Sequence, residues 1–224
     1  GMEASALERQ FLAREGLFAA LDQGVAGLRL GAIGPAERER VDAGLLGLYD
    51  AALDRLKGLG AEIVPFEPPL AYADMKDAVG TIIAAEAYTH HGDLMEDAAA
   101  PLDDDVRPRI LPGAGIRARD YVAMMLKRKR DQAAFLAAMR GIAAVLTPTT
   151  ETPAVPLDAV DQGGTPAHFT RPGNYLAMCA LSLPMALPPG LPGGLQVMAT
   201  LGGHGGGIVE RGHVLRFLAT RNPH

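Results

Sequence analysis

The side chains able to do nucleophilic, acid–base or metal chemistry are few: two serines, four lysines, six histidines and one cysteine in 224 residues. A nucleophilic serine needs a base within hydrogen-bond reach and backbone donors for the developing oxyanion. Ser182 sits in the apolar segment LSLP with no glycine-rich elbow around it, which suits a structural serine at the start of a strand. Ser5, three residues before Glu8, makes a helix-capping box. Lys57, Lys76, Lys127 and Lys129 all fall in helical patterns without serine neighbours. Cys179 lies in the apolar run 175–183 and reads as a buried, inert thiol.

The histidines form no ligand set. His90 and His91 are adjacent, so on a helix they point about 100° apart. His168, His204 and His213 have no carboxylate at ligand spacing, and neither HExxH nor CxxC occurs. Asp103, Asp104 and Asp105 read as a solvated acidic tip. The glycine run 202–207 lacks the Lys-Ser/Thr ending of a phosphate loop, and reads as a connection into a last helix. The residues alone therefore complete no catalytic constellation and call for no metal or cofactor.

The elements that must position these groups follow from periodicity. A helix is expected over 4–22, a buried strand over 27–33, a helix from Pro35 to Leu59 stopped by Gly60, and a strand over 61–66. Strand, helix, strand in about 40 residues predicts a parallel βαβ unit. Further helices are expected over 72–91 and 118–140, separated by a long surface loop over 98–117. The second of these puts Tyr121, Met125, Arg128, Gln132, Phe135 and Met139 on one face. A third strand is expected over 142–146, a helix over 172–181, strands over 183–187 and 195–201, and a closing helix over 205–221. Nine of the 17 prolines lie between Pro148 and Pro192, which limits that region to short segments. The pattern predicts an α/β fold with a mixed, partly parallel sheet covered by helices, in one domain spanning 1–224. Residues 1–14 read as a helical extension, and Gly1 as a tag remnant.

Composition bounds the partners. The formal charge of −5 gives no electrostatic case for nucleic acid or an anionic membrane. The run Lys127–Arg130 lies on a helix surface. No apolar run reaches the roughly 18 residues of a membrane span, no signal peptide is visible, and a single cysteine suits a reducing, cytoplasmic setting.

Several segments, in order, carry a family resemblance: ALDQGVAGLRLGAI (20–33), GLLGLYDAALDRLKGLGAEIVPFEPP (44–69), IIAAEAYTHH, RPRILPGAGIRARDYV, AAVLTPTTETPAVP and FTRPGNYLAMCALSLPMALPPGLPGGLQVMA. Together the chain resembles the C-terminal half of the amidase signature family, serine-dependent amide hydrolases, over about 200 of its 224 residues. The resemblance implies a lysine, a serine beside a cis peptide and a nucleophilic serine, all N-terminal to the matched part. None has a counterpart here. It implies an amide substrate, no cofactor, and a chain that is truncated and inactive alone, completed by the missing catalytic half or by self-association. It also implies a wall of the substrate pocket. Arg109 matches a region where some members place an arginine for a substrate carboxylate, and Arg128 an arginine of the long helix. Thr147 and Thr149 lie on the turn after a central strand. Asn174 and Tyr175 match the polar start of a helix facing the catalytic half. Arg128 could instead only bridge elements, Asn174 only cap a helix, and Arg109 only face solvent. Two other readings stay open: a non-catalytic binding or interaction module, and a component of a glutamyl-tRNA amidotransferase-like transamidase. Tyr175 stands where those transamidases carry an acidic residue.

Overall fold

The computed structural model describes residues 24–161, 164–185 and 191–200. The expected helices at 4–22 and 205–221, the glycine run 202–207, His204 and His213 lie outside the described residues.

A five-stranded mixed sheet organises them. In space the strands run β2 (Glu62–Phe66), β1 (Arg29–Ile33), β3 (Ala144–Pro148), β5 (Gly193–Ala199), β4 (Cys179–Met185). The β1–β2 and β1–β3 pairs are parallel, and β5 runs antiparallel to both β3 and β4. The βαβ expectation holds, with Arg29 opposite Glu62 and their side chains ion-paired at 3.1 Å. β3, flanked on both sides, is buried at every position, as its apolar sequence demands.

The helix expected from Pro35 to Leu59 is two helices. α1 (Pro35–Arg38) is a single turn. The chain then leaves the helix so that Asp42 can cap α2 (Ala43–Gly58), accepting from the N–H groups of Gly44 and Leu45 at 2.8 and 3.2 Å. α2 ends in a Schellman motif: Gly60, at φ +89°, donates to Lys57 O, and Ala61 donates to Leu56 O. Its buried face of Leu45, Tyr49, Leu53 and Leu56 lies against the sheet. Each such large side chain contributes about 1.5–3 kcal/mol of burial.

α3 (Met75–Glu96) and α5 (Ala118–Ala138) are the two long helices. The 98–117 segment, expected as a loop, holds α4 (Arg107–Ile110) and a 3-10 turn (Leu111–Gly115) seated along α3. Phe135 of α5 meets Phe66 of β2 edge-on, with ring centroids 5.3 Å apart.

The helix expected over 172–181 is only α6 (Arg171–Tyr175). Beyond it the apolar run pairs as β4 with β5 over seven residues, Cys179↔Ala199 to Met185↔Gly193. A short apolar run has no intrinsic preference strong enough to resist that ladder. Among the described residues no helix is long and apolar enough to cross a membrane.

Candidate functional site

In α/β sheets the carboxyl ends of parallel strands, where chain segments diverge, are the usual place for chemistry. Here the segments after β1, β2 and β3 meet the start of β5 and the end of β4 at one edge of the sheet. The side chains there include the Thr147, Thr149 and Ser182 hydroxyls and the Gln196 amide, with the carboxylates of Glu37, Glu67 and Glu151 on the segments that follow β1, β2 and β3.

Thr147 is fully buried. Its Oγ1 donates to Pro148 O at 2.7 Å and accepts from Gln196 Nε2 at 3.0 Å. The same Gln196 nitrogen donates to Phe169 O at 2.7 Å, so one buried amide joins β3 and β5 to the turn before α6. Two residues on, the Thr149 and Ser182 hydroxyls are 2.6 Å apart. The Thr149 N–H donates to Gly194 O at 2.7 Å. Gly194 is required beneath this pair, because a Cβ there would lie 2.5 Å from Thr149 Oγ1 and 2.6 Å from Ser182 Oγ. Ser182 is exposed and stands in the middle of β4, not at the start of a strand; pairing from Cys179 onward moves the strand toward the N-terminus.

Arg128, Asn174 and Tyr175 are brought together. The Arg128 guanidinium donates from Nε to Tyr175 O at 2.6 Å and from Nη2 to Asn174 O at 2.9 Å. It neutralises the C-terminal carbonyls of α6, where a cation is favoured. Gln132 adds a longer contact to Tyr175 O, at 3.5 Å. The Tyr175 phenol donates to Asp131 Oδ2 at 2.6 Å, on a carboxylate already held by Lys127. Burial, and then the Asp131 carboxylate, push that phenol above its ordinary range. Tyr175 is thus gripped by α5 at both ends, while Asn174 points out exposed. Ala177 follows in the left-handed region at φ +52°, with Met178 N bonded to Gly173 O. This is a second Schellman motif, with alanine where glycine is at ease. Arg109 sits elsewhere, exposed on α4.

Sequence spacing missed one buried pair. His168 does have a carboxylate partner: its Nε2 lies 2.5 Å from Glu37 Oε2, with side chains 6% and 11% exposed. The partners are 131 residues apart, so no local motif could show them. Tyr72 packs edge-on to His168 and Phe169, and its buried hydroxyl has no partner among the described residues. Burial and the Glu37 charge push the Tyr72 phenol up. The Tyr49 phenol, also pushed up by burial, accepts from Ile33 N at 3.1 Å and donates to Leu146 O at 2.9 Å, tying β1 to β3. Cys179 is half-buried at the start of β4. Among the described residues no group of three histidine, cysteine or carboxylate side chains could hold a metal.

Taken together, the edge can present hydroxyl and amide groups to a polar ligand. A hydroxyl pair becomes nucleophilic only with a base at one end. The four lysines are on α2, α3 and α5, with Lys57 paired to Asp54 and Lys127 to Asp131.

Comparison with known proteins bears on this arrangement. The family model described as Amidase matches residues 11–203. An amidase of Pseudomonas putida is 30% identical over 176 residues, covering 73% of this chain and 37% of the relative. A glutamyl-tRNA(Gln) amidotransferase component of Geobacter metallireducens is 30% identical over 204 residues, covering 78% and 42%. The crystal structure of an amidase superimposes with a TM-score of 0.71 at 24% identity, over 84% of this chain and 45% of that one. A bacterial aryl acylamidase of the amidase signature enzymes gives 0.62 at 22% identity, over 82% and 42%. The chain therefore spans about two fifths of the length of the curated relatives it matches.

Proposed function

The chain belongs to the amidase signature family, and from that premise we propose that it is the substrate-facing portion of an amide hydrolase whose reacting groups come from polypeptide outside this sequence. The observation that carries this reading is the Thr149–Ser182 hydroxyl pair. It is open at the sheet edge and backed by Gly194, with no lysine, histidine or carboxylate bonded to either hydroxyl among the described residues. Such a pair can bind and orient an amide through its oxygens and protons. It cannot by itself take the proton from an attacking hydroxyl. Asn174, exposed on α6 and held in place through the Arg128 clamp, supplies a second polar contact on the same wall. Arg128 then acts by positioning α6, while Thr147 and Tyr175 are buried supports of the wall. Arg109 would touch substrate only if the completing polypeptide brought substrate to α4.

The Geobacter relative favours a second reading, a component of a transamidase. Tyr175 argues against it: the phenol is buried and committed to Asp131, so it cannot replace an acidic group facing a substrate. A non-catalytic interaction module would use the same open edge to bind a partner.

The test is to assay the purified chain against aryl and alkyl amides. No turnover above buffer is expected, and association with a co-expressed N-terminal portion of a related amidase is expected. Turnover by the chain alone, whether lost or kept in Ser182→Ala, would overturn the reading.

A further inference from the structure

Away from the hydroxyl edge, a cleft of about 430 Å³ opens between α3 and the start of α5, within the size range of small-molecule sites. Glu86, Tyr88, Thr89, His90, Ile116 and Tyr121 line it. The protons of three hydroxyls there are already committed. Tyr121 donates to Glu86 Oε1 at 2.8 Å, Thr89 donates to Ala85 O at 2.8 Å, and Tyr88 donates to Glu96. Each hydroxyl oxygen therefore has only lone pairs left for a ligand. The carboxylate hydrogen bonds of Tyr88 and Tyr121 also push both phenols above their ordinary range, so they remain protonated. Among the described residues no lysine or arginine is ion-paired with Glu86, whereas Glu62, Asp50, Glu151, Asp54, Asp120 and Asp131 each have such a partner. Among the described residues no lysine or arginine lines the cleft.

We propose that this cleft binds an organic ammonium with an apolar body, its N–H donors directed to Glu86 and the hydroxyl oxygens and its body laid on Ile116 and the tyrosine rings. An ammonium has donors and no acceptor, the complement of the Glu86 carboxylate and the three hydroxyl oxygens. Its charge is attracted both by a carboxylate and by the faces of aromatic rings. Anions meet the Glu86 carboxylate and, among the described residues, no lysine or arginine lining the cleft. Neutral alcohols forfeit the charge-assisted bond. The site is separate from the proposed amide-binding edge and does not depend on it.

Calorimetric titration of the purified chain with 2-phenylethylamine, 2-phenylethanol and 3-phenylpropionate tests this, the three sharing one ring and differing in the head group. The amine is expected to bind, the alcohol at least about tenfold more weakly, and the acid not at all. Glu86→Gln, an exposed position that should fold normally, is expected to weaken amine binding by about tenfold or more. Glu62→Gln, on β2, should leave it unchanged. No amine binding up to about 10 mM, equal binding of the three compounds, or equal losses in Glu86→Gln and Glu62→Gln would each overturn the proposal.

Discussion

Tyr49 and Tyr72 are both sealed in the core, yet they use their hydroxyls in opposite ways. Tyr49 serves two backbone groups, at Ile33 and Leu146, whereas the Tyr72 hydroxyl serves none among the described residues. Removing the first leaves a buried donor and a buried acceptor unmet, and removing the second relieves a desolvated group. Tyr49→Phe should therefore cost about 2–3 kcal/mol of unfolding free energy, and Tyr72→Phe should be neutral or stabilising by up to about 1 kcal/mol. Urea denaturation of the two variants checks the contrast; equal losses would contradict it. Ala177 offers a gain instead. A left-handed alanine costs about 1–2 kcal/mol, and glycine gives back part of that in unfolded-state entropy. Ala177→Gly should therefore stabilise by about 0.5–1 kcal/mol in the same measurement. At this scale the sequence was legible where periodicity applied: Arg128 shares a helical face with Tyr121, Gln132 and Phe135, and that face does turn inward. It was not legible where partners are distant. The Glu37–His168 pair and the Gln196 amide between Thr147 and Phe169 are created by the sheet order, which local spacing does not encode.

Helices with their own stop signals were readable, and segments decided by tertiary pairing were not. Gly60 ends α2 as its position foretold. The run from Cys179 to Met185 was divided between helix and strand because its apolar residues suit either, and β5 decides in favour of strand. The 98–117 segment read as a surface loop because of its prolines, glycines and aspartates, yet it is packed. Gly113 lies so close to α3 that a Cβ would sit 2.2 Å from Ala84 O and 2.5 Å from Tyr88 Cβ. Backbone cannot yield there as a flexible side chain could. Gly113→Ala should therefore destabilise by about 2–3 kcal/mol, while Gly115→Ala, with open space around it, should change stability by less than about 0.5 kcal/mol. Amide hydrogen exchange over 107–117 should rise in the first variant and not in the second. Equal exchange in both would mean that the segment does not rest on α3.

Across the whole molecule, α2 covers one face of the sheet, and the hydroxyl pair opens beyond the other, between the end of β3 and the middle of β4 and over Gly194 of β5. The fold class and the strand–helix order were legible; which edge would carry polar groups was not, because it depends on β5 reversing between β3 and β4. The buried tyrosines also give the molecule an alkaline limit. Burial raises Tyr49 and Tyr72 above the ordinary phenol value of 10.0. The folded state keeps these protons while the unfolded chain releases them. Stability is therefore intact below about pH 10 and falls as pH rises beyond it, by about 1.4 kcal/mol per pH unit for each phenol. Circular dichroism and phenolate absorbance followed together should show these two phenols ionising only as the chain unfolds. The central claim is that this chain is an amidase scaffold without an activated nucleophile of its own, and intact-mass measurement after treatment with a fluorophosphonate, which labels activated serines, tests it most directly. The account predicts an unmodified mass; a stoichiometric adduct on Ser182 would contradict it.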